Sequence, residues 1–151
     1  MRLAEALMER ADLKKKIAQM SDRMIQNAKV YEDEEPMEDM SKLLRELDRI
    51  TERYEDLMWK INLANATNRA SNGEPLVELI ARREAYISKD KALRDMLASL
   101  KTDRHDYYGN NDRKRVVKID VPAIRKQTDS IAKRIREIDA LIQEANWNIT
   151  V

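Results

Sequence analysis

Four stretches of this chain carry apolar side chains at alternating steps of three and four residues, or at sums of those steps. The first runs Leu3, Ala6, Leu13, Ile17, Met20 and Met24, and the second Met40, Leu43, Leu47, Ile50, Tyr54, Leu57, Ile61 and Ala64. The third runs Leu76, Leu79, Tyr86, Leu93, Leu97 and Leu100, and the fourth Ile124, Ile131, Ile135, Ile138, Ile142 and Ala145. This is the repeat of helices that pack knobs into holes. Leu44, Met58, Ile80, Ile87 and Leu141 widen the stripes beyond a two-stranded seam, as a bundle requires. The pattern predicts an all-α fold of four long amphipathic helices, at about 2–30, 40–64, 75–102 and 121–146, arranged as two antiparallel helical hairpins. A chain of 151 residues fits one helical domain, 1–151, with a sizeable core.

The breaks between the stripes have local causes. Pro36 sits in the acidic run Glu32 to Asp39, which separates the first two helices. Asn62, Asn65, Asn68 and Asn72 lead up to Gly73, and asparagine ends helices by bonding to nearby backbone. Pro75 suits the first turn of the third helix. Asp120 is the expected N-cap of the fourth, with Pro122 just inside it. The connection from Asp103 to Asp120 is too long for a tight turn. Within it Arg115 to Val121 has strand-like composition, and Asn27 to Tyr31 is the candidate partner in a short two-stranded β ribbon. Glu32, Asp33, Glu34 and Glu35 on one connection match Arg113, Lys114, Arg115 and Lys118 on the other in charge.

Composition closes off several kinds of chemistry. Only two glycines are present, too few for the phosphate-cradling loops of nucleotide-binding folds. There is no cysteine, which removes disulfides, thiolate catalysis and thiolate metal sites. The single histidine, His105, lies in a loop, so neither a carboxylate-bridged metal pair nor a serine–histidine nucleophile has its ligands. We expect no enzyme activity, no cofactor and no metal. Basic and acidic residues nearly cancel, 29 against 28, so no field of one sign attracts nucleic acid or an anionic membrane. No stretch approaches the ~18 apolar residues of a membrane span. The chain begins Met1-Arg2-Leu3-Ala4-Glu5, charged and helix-like rather than signal-like, which makes the cytoplasm the expected location.

The polar residues that interrupt the stripes are the most informative. Arg10 in the first helix, Arg83 and Asp90 in the third, and Gln127 or Thr128 in the fourth fall at stripe positions. A charge there must be paired or reach water, since burying it alone is expensive. Arg10, Arg83 and Asp90 therefore read as a structural ion-pair layer that fixes register or oligomeric state, an anion site being the sharper alternative. Trp59 and Trp147 are expected to meet as an aromatic cluster at the asparagine-rich end, packed beneath the loop.

In order along the chain, several segments resemble a small bacterial family of uncharacterised proteins, some of which carry the label septicolysin or septolysin. They include Arg2-Leu3-Ala4-Glu5-Ala6-Leu7, Arg10-Ala11-Asp12-Leu13 and Glu34-Glu35-Pro36. Further along are Ile61-Asn62-Leu63-Ala64-Asn65, Leu79-Ile80-Ala81-Arg82-Arg83 and Ile142-Gln143-Glu144-Ala145-Asn146-Trp147. The resemblance implies no catalytic motif, and its label implies a membrane-acting cytolysin as one reading. The residues themselves favour a non-catalytic structural or interaction protein, a homo-oligomer of two or more copies with an unknown protein partner left open.

Overall fold

A computed structural model describes residues 1–100 and 116–151, and the protein is all-α. Helix α1 spans Leu3–Ala28, α2 Met40–Thr67, α3 Leu76–Ser99 and α4 Val121–Asn148. The chain divides into two compact units: Met1–Leu76 with Gln143–Val151, and Val77–Ile142.

In the first unit α1 and α2 form an antiparallel hairpin. The apolar stripes meet along Leu3, Ala6, Leu13 and Met20 of α1 and Leu43, Leu57, Ile61 and Ala64 of α2, all buried. Each helix starts at an identifiable cap. Glu5 accepts the Arg2 N–H at 2.7 Å, and Asp39 accepts the Ser41 N–H at 2.8 Å. These bonds satisfy donors that the first helical turn leaves free. Helix α2 runs beyond the first asparagines. Asn62 and Asn65 stay helical because Ile61 and Ala64 beside them are held in the core. Asn68 ends the helix, its Nδ2 donating to the Ala64 carbonyl at 2.9 Å.

The asparagine-rich end is a tight reversal. The Gly73 N–H donates to Ala70 O and the Ala70 N–H to Glu74 O, each at 2.9 Å, and Gly73 takes φ of +83°. A type I turn followed by a left-handed glycine is the standard three-residue way to reverse a chain. Asn72 braces it, accepting the Glu74 N–H at 3.0 Å. Pro75 lies just before α3 rather than within its first turn. Close to the same end of this unit, residues 149–151 lie antiparallel to residues 1–3. The Leu3 N–H donates to Ile149 O and the Val151 N–H to Met1 O, both at 2.9 Å.

In the second unit α3 and α4 also run antiparallel, with Leu79, Ile131 and Ile138 buried. Asp120 caps α4, accepting the Ala123 N–H at 3.0 Å, and Pro122 follows inside the first turn. The β ribbon is absent among the described residues. Asn27 and Ala28 belong to α1, residues 116–120 are irregular, Val121 opens α4, and Arg115 lies outside the described residues. Asn27 is committed elsewhere: it is buried, donates to Arg23 O at 2.9 Å and accepts the Glu38 N–H at 2.8 Å. That pair of bonds ties the end of α1 to the start of α2.

Two substitutions on α2 separate core from surface. Ile61→Ala, at a fully buried position, is expected to cost about 2–5 kcal/mol in urea unfolding, whereas Trp59→Ala on the opposite face stays within about 0.5 kcal/mol. Comparable losses at the two positions would contradict this packing.

Candidate functional site

The α1–α2 hairpin has two unlike edges. Successive residues of a helix turn by about 100°, so a step of three from a core residue leads to one edge and a step of four to the other. Three residues after Ala6 and Met20 come Glu9 and Arg23. Three residues after Leu43 and Ile50 come Glu46 and Arg53. These four charges close one edge. Arg53 grips both carboxylate oxygens of Glu9, at 2.7 and 2.9 Å, and also Asp56 at 2.9 Å. Arg23 holds Glu38 through two nitrogens, reaches Glu46 at 3.2 Å and donates to the Met20 sulfur at 3.0 Å. Two-pronged contacts of this kind are the strong form of the arginine–carboxylate pair.

The charges respond to these contacts. The Arg53 guanidinium, through its hydrogen bonds above all, holds the Glu9 carboxyl below its ordinary value. Arg23 does the same to Glu38. Asp39 is lowered mainly by the backbone N–H of Ser41, and Asp56 first by Lys60 and then by Arg53. Arg23 and Arg53 are in turn held more firmly in their charged forms.

The opposite edge is apolar. Four residues after Ala6, Leu13 and Met20 come Arg10, Ile17 and Met24. Four after Leu43 and Ile50 come Leu47 and Tyr54, with Leu7 and Met58 further round. All seven are half-buried. Among the described residues no ion pair seals this edge, and Arg10 has no partner.

In the second unit Arg83 donates to Asp139 across the hairpin and to its neighbour Glu84 at 2.7 Å. Asp90 accepts from Arg94 at 2.6 Å through one oxygen, while its other oxygen is buried and has no partner. Thr128 is buried and donates to Arg125 O at 2.8 Å. Half-buried Ile80, Ile87, Leu97 and Ile135 accompany these groups. Of the three residues assigned to an ion-pair layer, Arg83 is thus cross-paired, Asp90 is paired only within its own helix, and Arg10 is unpaired.

The aromatic cluster is corrected. Trp59 is 66% and Trp147 53% exposed, and neither packs beneath the loop. Each stands two residues past a buried one, Leu57 and Ala145, and two steps turn the side chain by about 200°, away from the core. His105 and the basic residues 113–115 lie outside the described residues. Among the described residues no three histidine, aspartate or glutamate side chains cluster as a metal ion requires, and no helix is long and apolar enough to cross a membrane.

The fold and its surfaces define an all-α protein of two helical hairpins marked by half-buried charges and apolar edges. Residues 10–151 match the family of unknown function DUF6847, and the chain belongs to that family. It is also similar to a functionally unknown conserved protein from Corynebacterium diphtheriae, known from a crystal structure. The two are 34% identical over 98% of this chain and 96% of the other, with a TM-score of 0.86. No curated protein matches the chain.

Acid should act through the sealed edge. Glu9 and Glu38 are held below their ordinary value of 4.5, so they stabilise the fold fully above that pH. Their contribution is lost as pH falls through the depressed folded-state values. The melting temperature followed by circular dichroism should drop on acidification below about pH 4.5, with a shallower fall in the Glu9→Gln, Glu38→Gln double variant. Equal slopes would show that these pairs contribute nothing.

Proposed function

We propose that the protein is a non-catalytic helical module that self-associates through the apolar edge of its α1–α2 hairpin. The observation that carries this reading is the asymmetry of that hairpin. One edge is closed by Glu9, Arg53, Arg23, Glu38 and Glu46, while the other leaves Leu7, Ile17, Met24, Leu47, Tyr54 and Met58 half-exposed. A stripe wider than one neighbour can cover gains stability by burial against a further helical layer, at about 25 cal/mol for each Å² of apolar surface removed from water. On this reading the chain works in the cytoplasm without cofactor or metal, as a homodimer or larger assembly to which another protein can be added.

The septicolysin-like reading, a membrane-acting cytolysin, comes from the resemblance alone and is the alternative. Light scattering over a hundredfold range of protein concentration tests the first proposal. A mass that is a multiple of 17.7 kDa is the expected result, and a monomer throughout would overturn it. Dye-loaded liposomes test the second: the module should leave them intact, whereas leakage at low protein concentration would favour the cytolysin.

A further inference from the structure

The open edge of the α1–α2 hairpin is polarised. On α1, half-buried Arg10 sits in the apolar row, and exposed Lys14 stands one turn further along the same flank. The other α1 residues on that flank, Leu7, Ala11, Ala18 and Ser21, carry no charge. On α2, exposed Glu55 stands one turn after Thr51 and just before half-buried Met58. Arg10, Lys14 and Glu55 have no ion-pair partner among the described residues. Asp48, two turns before Glu55, lines a shallow depression with Arg45 and Arg49 of its own helix, so Glu55 is the unmatched acid of this flank. All of these residues belong to the first unit. Their levels match as well. With Arg53 on Glu9 and Arg23 on Glu46, the antiparallel helices bring Arg10 and Lys14 within about one turn, ~5 Å, of Glu55 in height.

Resting on the self-association reading, we propose that the occupant of this edge is a second copy, related by a two-fold axis parallel to the helices. In that arrangement α1 of each copy lies against α2 of the other, and Arg10 and Lys14 face the partner's Glu55. Two hairpins stacked edge to edge with their helices aligned have two such two-fold arrangements. An axis across the helices sets α1 against α1 and α2 against α2, which brings cation to cation and anion to anion. Like charges so placed are costly, and they select against that arrangement. An axis along the helices leaves every height unchanged, so the matched levels of Arg10, Lys14 and Glu55 carry over to the contact between copies. The contact is made twice, once on each side of the axis, and the apolar row between the two flanks is covered by its own counterpart. The charges set which helices meet and in what direction, more than they set the strength of association.

Charge reversal tests the proposal on the full chain. The Arg10→Glu, Lys14→Glu double variant and the Glu55→Lys variant each place like charges opposite one another at both contacts. Light scattering should show each weakened in assembly by at least about tenfold, with helicity by circular dichroism retained. An equimolar mixture restores opposite charges at both contacts and should recover the assembled mass. Variants that assemble as the unmodified protein does, or that fail to complement one another, would overturn the arrangement while leaving self-association standing. Cysteine cross-linking reads the same geometry if a reversal costs helicity, because the chain has no cysteine of its own. Lys14→Cys and Thr51→Cys, both at exposed positions, are mixed and treated with a short thiol-to-thiol cross-linker. Mass spectrometry should find the mixed pair in excess over either variant linked to itself. Self-linked pairs in excess, or no cross-linked pair from an assembled sample, would overturn the arrangement. An unmodified protein that is monomeric throughout would overturn both this arrangement and the self-association on which it rests.

Discussion

The bidentate pairing of Arg53 with Glu9, seconded by Arg23 with Glu38 and Glu46, divides the α1–α2 hairpin into a closed edge and an open one. Pairs this exposed add little stability singly. Their effect is positional: they fix the antiparallel register of the two helices and commit one flank to charge. Glu9 and Glu46 stand three residues beyond the core line, as Arg23 and Arg53 do on the facing helices, while Glu38 reaches Arg23 from the linker before α2. Apolar residues four beyond the core line are thereby turned to the opposite flank. The half-buried row from Leu7 to Met24 and from Leu47 to Met58 follows from that single choice of register.

The connections serve the same register. Asn27, buried at the end of α1, bonds both to Arg23 O and to the Glu38 N–H, so the acidic linker begins and ends at fixed points although it is rich in like charge. At the far end Asn68 stops α2 and Gly73 reverses the chain. The pairing of residues 1–3 with 149–151 places the start of α1 and the end of α4 side by side within the first unit. Helix caps, a left-handed glycine and a few backbone bonds are enough to set the ends of helices whose length is determined by their stripes.

Most of this architecture was legible in the residues, because the three-and-four spacing is a direct imprint of helical geometry. Asp120 is a readable cap for the same local reason. The errors are equally physical. The asparagines at 62 and 65 carry a stop signal, yet burial of Ile61 and Ala64 outweighs it and α2 continues to Thr67. Residues 116–121 have β-branched composition but no strand, since Asp120 instead starts a helix. The tryptophans invited a packing role by size, whereas a two-residue offset from the stripe decides their exposure. Arg10, Arg83 and Asp90 stood out as charges on apolar stripes, but which of them finds a partner depends on cross-helix geometry that spacing does not contain. Asn27, a buried side chain whose polar atoms tie the end of α1 to the residues just before α2, has no signature beyond its place in the heptad.

The central claim is that the open edge of α1–α2, and not the exposed face bearing Trp59, is the surface on which copies meet. Sedimentation equilibrium of Ile17→Glu and Trp59→Glu, at a concentration where the unmodified protein is assembled, tests it directly. The account predicts a folded monomer of about 17.7 kDa for Ile17→Glu, a charge on the open edge, and an unchanged assembled mass for Trp59→Glu. An assembled Ile17→Glu beside a monomeric Trp59→Glu would contradict it and move the contact to the opposite face of α2.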